Sequence, residues 1–137
     1  MNSNTVRVIV AVVAGFLIAG LMGYGVEYIN AKFWLPPDVN WFSMEDMKAA
    51  IPNLPPYAAL PNLIGGMVGL YLGARVAGKI ARNGSMVPGY LVTALILIQG
   101  IIPQFIVEEP LWMIALGSIL MFTAGYLGTK AGSKVTT

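Results

Sequence analysis

Apolar positions along the chain fall into four long blocks, separated by shorter polar stretches. The first runs from Val8 to Val26 with no charge inside it. The second runs from Tyr57 to Ala74 and stops at Arg75. The third runs from Val87 to Val107, opens with Pro88 in its first turn and closes on Glu108 and Glu109. The fourth, Leu111 to Thr129, stands behind Pro110, a residue tolerated at a helix start. Each block is about 18–21 residues long, enough helix to cross about 30 Å of hydrocarbon. In lipid every backbone N–H and C=O must find a partner internally, which a helix achieves alone. The pattern predicts an all-α fold: a four-helix transmembrane bundle, one domain over 1–137, with spans near 8–29, 57–81, 87–107 and 110–130. A secretory signal peptide competes for the first block, with Arg7 as its basic start. Signal apolar regions run roughly 7–15 residues and no clear A-x-A site follows, so the block reads as a retained span.

The polar stretches differ in size, and residues 30–56 form the only long one. Ser43 reads as an N-cap with Asp46 three residues on, a variant capping box. A short helix from Met44 to Ile51 follows, stopped by Pro52, with Met44, Met47 and Ile51 on one apolar face. Pro55, Pro56 and Pro61 keep the chain extended up to the second span. This helix reads as lying on the bilayer or capping the bundle, with a lid or docking element as the sharper alternative.

Composition sharpens the class. Hydrophobic residues make up 57% of 137 positions and mean hydropathy is +0.74. Charged residues are 10%, where a soluble domain carries about 25%. There is no Cys and no His, which removes disulfides, thiol nucleophiles, imidazole bases and the usual zinc sites. No metal, cofactor or catalytic group is expected, and the chain reads as non-enzymatic.

The net charge of +2 matters less than its distribution. Arg7, Arg75, Lys79, Arg82, Lys130 and Lys134 flank the spans on one side. All six acids, Glu27, Asp38, Glu45, Asp46, Glu108 and Glu109, fall on the other, with Lys32 and Lys48. The positive-inside rule then places both termini in the cytoplasm of a cell with this protein in its inner (plasma) membrane. Tyr28, Phe33, Trp34, Trp41, Phe42, Tyr57 and Trp112 mark the outer interface. Arg75, Lys79 and Arg82 share one helical face at the inner edge, suited to anionic lipid headgroups and needing no nucleic acid.

Small residues recur every fourth position: Ala11, Gly15, Ala19 and Gly23 in the first span, Gly65, Gly69, Gly73 and Ala77 in the second, Ala124, Gly128 and Gly132 in the fourth. Such glycine-zipper stripes let helix backbones approach closely. They serve packing within the bundle, and three stripes leave one to spare for a second copy or a larger membrane complex. GLYLGARVAGKI from Gly69 resembles AGYLGTKAGSKV from Ala124, and GFLI at Gly15 resembles GYLV at Gly89. A parallel two-hairpin repeat, 1–82 and 83–137, would explain both, as would a shared need for small, aromatic and basic residues at a cytoplasmic exit.

The third span carries Gln99, Gly100, Pro103 and Gln104. Pro103 cannot donate to the carbonyl of Gln99, which frees an acceptor near mid-membrane. Depth counting puts Glu27, Asn62 and Gln104 at one level in the outer leaflet. With Gln99 they outline a candidate polar path, in which Glu27 is the carboxylate best placed for proton or cation coupling. The plainer readings are an interfacial Glu27 and a Gln99 bonded to a neighbouring helix.

The layout, with WLPP at Trp34, LPP at Leu54 and GGMVGLYLGARVAGKIA from Gly65, resembles small uncharacterised four-span bacterial inner-membrane proteins, a likeness that implies no activity. Small multidrug transporters also have four short helices and a first-span Glu, but here Glu27 lies at the span's end and the outer loop is long. The expected role is a packing or accessory subunit, or a self-associating bundle. The alternative is a small oligomeric transporter or channel.

Overall fold

A computed structural model describes residues 3–35, 38–40, 43–54, 56–82, 84–106 and 109–134. Among them every regular element is helical: α1 (Ser3–Trp34), α2 (Met44–Ala50), two 3-10 turns (Ile51–Asn53 and Pro56–Ala59), α3 (Leu60–Ala81), α4 (Val87–Ile106) and α5 (Leu111–Ser133). Four of these, α1, α3, α4 and α5, are long and apolar enough to cross a membrane. The chain is therefore built as a multi-pass integral membrane protein.

The helices outrun the apolar blocks for physical reasons. α1 continues past the block to Trp34, because nothing helix-breaking intervenes before the Pro36–Pro37 pair. α5 extends one turn past the block because Gly132 seats against the backbone of Arg75 and Gly78. α3 begins later than its block: Pro56–Ala59 is 3-10, and Pro61 sits at the second position of the α-helix, where a missing N–H costs little.

α2 has the cap its sequence suggests. The Asp46 N–H donates to Ser43 Oγ at 3.2 Å, and the Asp46 carboxylate reaches past the N-cap to accept the Asn40 N–H at 2.9 Å. The side chains of Met44 and Ile51 lie outside the described residues, as do Trp41, Phe42 and Glu108.

Helix directions follow from backbone contacts. Gly15 meets Gly73, and Ala19 meets Gly69, so α1 and α3 are antiparallel. Gly128 lies on Tyr71 and Gly132 on Arg75, so α3 and α5 are parallel. Gly89 faces Thr129 and Gly125 faces Thr93, so α4 and α5 are antiparallel. The start of α1 and the end of α5 therefore lie at one end of the bundle, with Arg7, Arg75, Lys79, Arg82 and Lys130. α3 and α4 each pack on the other three spans.

The core is lopsided. Ala11, Ala19, Leu70, Ala77, Ala81 and Val92 form its buried cluster. Thr93 and Thr129 are also buried, and each hydroxyl donates to the carbonyl four residues back, of Gly89 and Gly125. Apart from Ile114, every buried residue of the four spans lies from mid-bundle to the basic end. At the acidic end the connections are local: Asn30 Nδ2 donates to the Ala58 carbonyl at 2.7 Å, and Trp34 packs edge-on to Tyr57 at 5.6 Å. The accessible surface is 8436 Å², against roughly 6,900 Å² for a compact soluble monomer of this mass.

Candidate functional site: an open cleft at the acidic end

The cleft arises where core-facing stripes continue past the core. Two helical turns are about seven residues. Val92 of α4 is buried beside Gly15 of α1; seven residues on, in the same stripe, is Gln99, which is exposed. Thr93 is buried; seven residues on is Gly100, also exposed. In α5 Ala124 is buried; seven residues earlier is Gly117, half-exposed. In α1 the stripe Ala11, Gly15, Ala19 is buried and its next member, Gly23, is half-exposed.

These positions share a level. α1 and α4 run parallel from the Gly15–Val92 contact, so eight residues on in each puts Gly23 level with Gly100. Counting eight from the Gly125–Thr93 contact puts Gly117 level with Ile101, beside Gly100. A Cβ added at Gly23, Gly100 or Gly117 would meet nothing within 4 Å. A Cβ added at Gly15 would stand 2.5 Å from the Gly73 carbonyl oxygen and 2.9 Å from Val92. Faces of α1, α4 and α5 that are covered at the basic end are thus open at this level, although a Cβ on Gly69 of α3 would still stand 3.6 Å from the Gly23 nitrogen.

The polar residues divide by depth. Twelve residues beyond the Gly15–Val92 contact, Glu27 and Gln104 are level with each other. Gly65 meets Val26, and antiparallel counting brings Asn62 level with Ile29. Glu27, Asn62 and Gln104 thus lie near one depth, while Gln99 is about 7.5 Å deeper at 1.5 Å per residue. Glu27 is exposed, Gln104 half-buried, and Pro103 exposed within an α4 that stays helical to Ile106. The Asn62 Oδ1 is buried and, among the described residues, accepts no hydrogen bond. Beyond α4 the Glu109 N–H closes back on the Gln104 carbonyl at 3.1 Å, and burial pushes the Glu109 carboxyl above its ordinary range. Among the described residues no three acidic or other metal-ligating side chains gather.

Of the packing stripes, Gly15, Gly65, Gly69, Gly73, Gly128 and Gly132 all meet a neighbouring helix, and Ala11, Ala19 and Ala77 are buried. Gly23 alone faces open space. The basic residues separate too. Lys79 and Arg82 line one groove, whereas Arg75 is exposed over the α3–α5 crossing.

No family model, no curated protein and no solved structure matches this chain.

Sequence reading passed over the α4–α5 clasp, in which Gly89 receives Thr129 and Gly125 receives Thr93. Its signal was there to find: G-x-x-x-T at Gly89–Thr93 and again at Gly125–Thr129.

Proposed function

We propose that this chain is a non-enzymatic membrane subunit whose acidic-end cleft is filled by a transmembrane helix of another chain, either a second copy or a member of a larger complex. The observation that carries the reading is the level of Gly23, Gly100 and Gly117, where three helices present bare backbone to open space beside Gln99. Glycine floors admit a neighbouring helix at close range. An amide left in hydrocarbon gains about 0.6–2 kcal/mol from a partner across helices. In this reading both termini are cytoplasmic, on the strength of six basic residues at their end against two at the other.

The chain has no cysteine, so single thiols can be placed cleanly. Gly100→Cys and Gly117→Cys, treated with a bifunctional maleimide in native membranes, are expected to yield adducts with a second chain that mass spectrometry identifies. Leu95→Cys, on an exposed face of α4, serves as the comparison. Absence of adducts at both cleft positions, together with a monomer in gentle detergent, would sink the proposal.

Gln99 beside the cleft, with Glu27 and Gln104 above it, favours a second reading: a polar path for a solute or ion in an oligomeric transporter. Proteoliposomes carrying wild type, Gln99→Leu or Glu27→Gln separate the two. Flux above background in wild type that falls in both variants supports the path; equal background in all three removes it for the solutes assayed.

A further inference from the structure

At the opposite end, α1 and α3 leave a groove of about 570 Å³ between the first turns of one and the last turns of the other. Its polar rim holds three cations, Arg7 from α1, Lys79 from α3 and Arg82 just past the end of α3, and Ser3. Its walls are aliphatic: Val6 and Val10 one turn apart on α1, Val76 and Ile80 one turn apart on α3. The acids among the described residues, Glu27, Asp38, Glu45, Asp46 and Glu109, belong to the other end of the spans. Lys79 Nζ donates to a neutral acceptor, the Lys134 carbonyl oxygen, at 3.3 Å.

We propose that this groove binds a polyanionic phospholipid, one whose headgroup carries at least two negative charges. Charge complementarity selects the head: three cations close together with no acid among them are matched by a multiply charged phosphate group better than by a single charge. The walls select the rest of the molecule. They run from the cations along α1 and α3 toward mid-bundle, so an occupant seated on the rim lays alkyl chain on Val10 and Val76. A free phosphate compound would leave those walls bare. Arg75 is one turn from Lys79 on the same helix, yet it does not line the groove, so it separates a built site from diffuse basic charge. The site requires only the membrane-spanning architecture and is independent of what fills the acidic-end cleft.

Arg82 supplies the second test handle. It caps α3 in the left-handed region at φ 56°, its N–H donating to the Gly78 carbonyl at 3.2 Å. That is a position glycine normally takes. Arg82→Gly therefore deletes a groove cation while easing the backbone, so the variant keeps its fold.

The experiment titrates the full-length chain in neutral detergent with cardiolipin, phosphatidylglycerol or inorganic pyrophosphate, reading bound lipid by native mass spectrometry and melting temperature in parallel. Cardiolipin is expected to bind and raise the melting temperature, phosphatidylglycerol to do so more weakly, and pyrophosphate not at all. Arg7→Gln and Arg82→Gly are each expected to weaken cardiolipin about fivefold, the equivalent of about 1 kcal/mol per basic residue near a charged lipid surface. Arg75→Gln is expected to bind as wild type. Without lipid, Arg82→Gly is expected to melt no lower than wild type. Equal loss in Arg75→Gln would overturn the groove in favour of general surface charge. Equal binding of phosphatidylglycerol would overturn the polyanionic selectivity, and protection by pyrophosphate would overturn the lipid.

Discussion

At the basic end Gly15 of α1 lies against the carbonyl of Gly73; at the acidic end a Cβ added to Gly23, about two turns along the same helix, would meet nothing within 4 Å. α4 shows the same change, from buried Val92 and Thr93 to exposed Gln99 and Gly100. Both halves carry glycines at helical spacing, so residue type does not account for the difference. What differs is what stands opposite. At the basic end each small residue meets a backbone or a branched side chain shaped to it. At the acidic end the glycine faces of α1, α4 and α5 open on empty space, while α3 stays in touch with α1 through Gly65 and Val26 and with α5 through Gly66 and Met121. A small-residue stripe therefore marks where close approach is allowed, and the connections decide whether it occurs within the chain.

The sharpest way to break this contrast is to put the same bulk into both halves. In Gly73→Leu the new side chain runs into the Gly15 carbonyl and the Ala19 backbone, neither of which can rotate away. Overpacking costs about 1–3 kcal/mol, and collision with backbone belongs at or above the upper end. Loss of folded protein in a detergent melt is the expected outcome. Gly23→Leu is expected to leave the isolated chain within about 0.5 kcal/mol of wild type, while abolishing the cross-links from Gly100→Cys if a helix occupies the cleft. Equal damage from both variants would mean the halves are packed alike.

A finer test addresses the clasp. A Cβ on Gly125 would overlap the Thr93 side chain, so Gly125→Ala is expected to lower stability, and Thr93→Ala to recover part of that loss by emptying the space. The coupling in a double-mutant cycle is expected at about 1 kcal/mol. Additive behaviour would show that the two residues do not press on each other.

The smallest effect belongs to Glu109, half-buried just outside α4 and α5. Burial raises its carboxyl above the usual range, so the folded chain favours the protonated form. Its contribution to stability is therefore complete below the ordinary carboxylate pKa and is lost as pH rises through the raised value. A shallow fall in melting temperature above that range, absent in Glu109→Gln, is expected. A slope that survives the substitution assigns the effect to another group.

Much of the architecture could be read directly from the chain. Four apolar blocks give four helices because lipid leaves the backbone no alternative, and Ser43 caps α2 because its hydroxyl reaches the Asp46 N–H. The stripe through Gly65, Gly69 and Gly73 identifies the face that receives α1. Periodicity stops short of showing that a Cβ on Gly23 would meet nothing, since spacing defines a face and says nothing of what is opposite. The basic groove was hidden for a similar reason. Lys79 and Arg82 are neighbours in sequence, but Arg7 joins them only because α1 and α3 are antiparallel. The Thr93–Gly125 and Thr129–Gly89 pairs depend on the register of α4 on α5, which no single-helix pattern contains.

α1 has 32 residues, about 48 Å at 1.5 Å per residue, and the hydrocarbon layer is about 30 Å thick. The last turns are not free to swing, because Asn30 is tied to Ala58 and Trp34 to Tyr57. Lys32 stands 5.2 Å from the centre of the Tyr28 ring, a cation and an aromatic placed as headgroup anchors. The helix thus acts as a depth gauge. Because its far end is tied to the α3 side, tilt in a bilayer of different thickness involves α1 and α3 together. Hydrophobic mismatch costs fractions of a kcal/mol per ångström, so a tied α1 can follow modest changes in bilayer thickness at little cost.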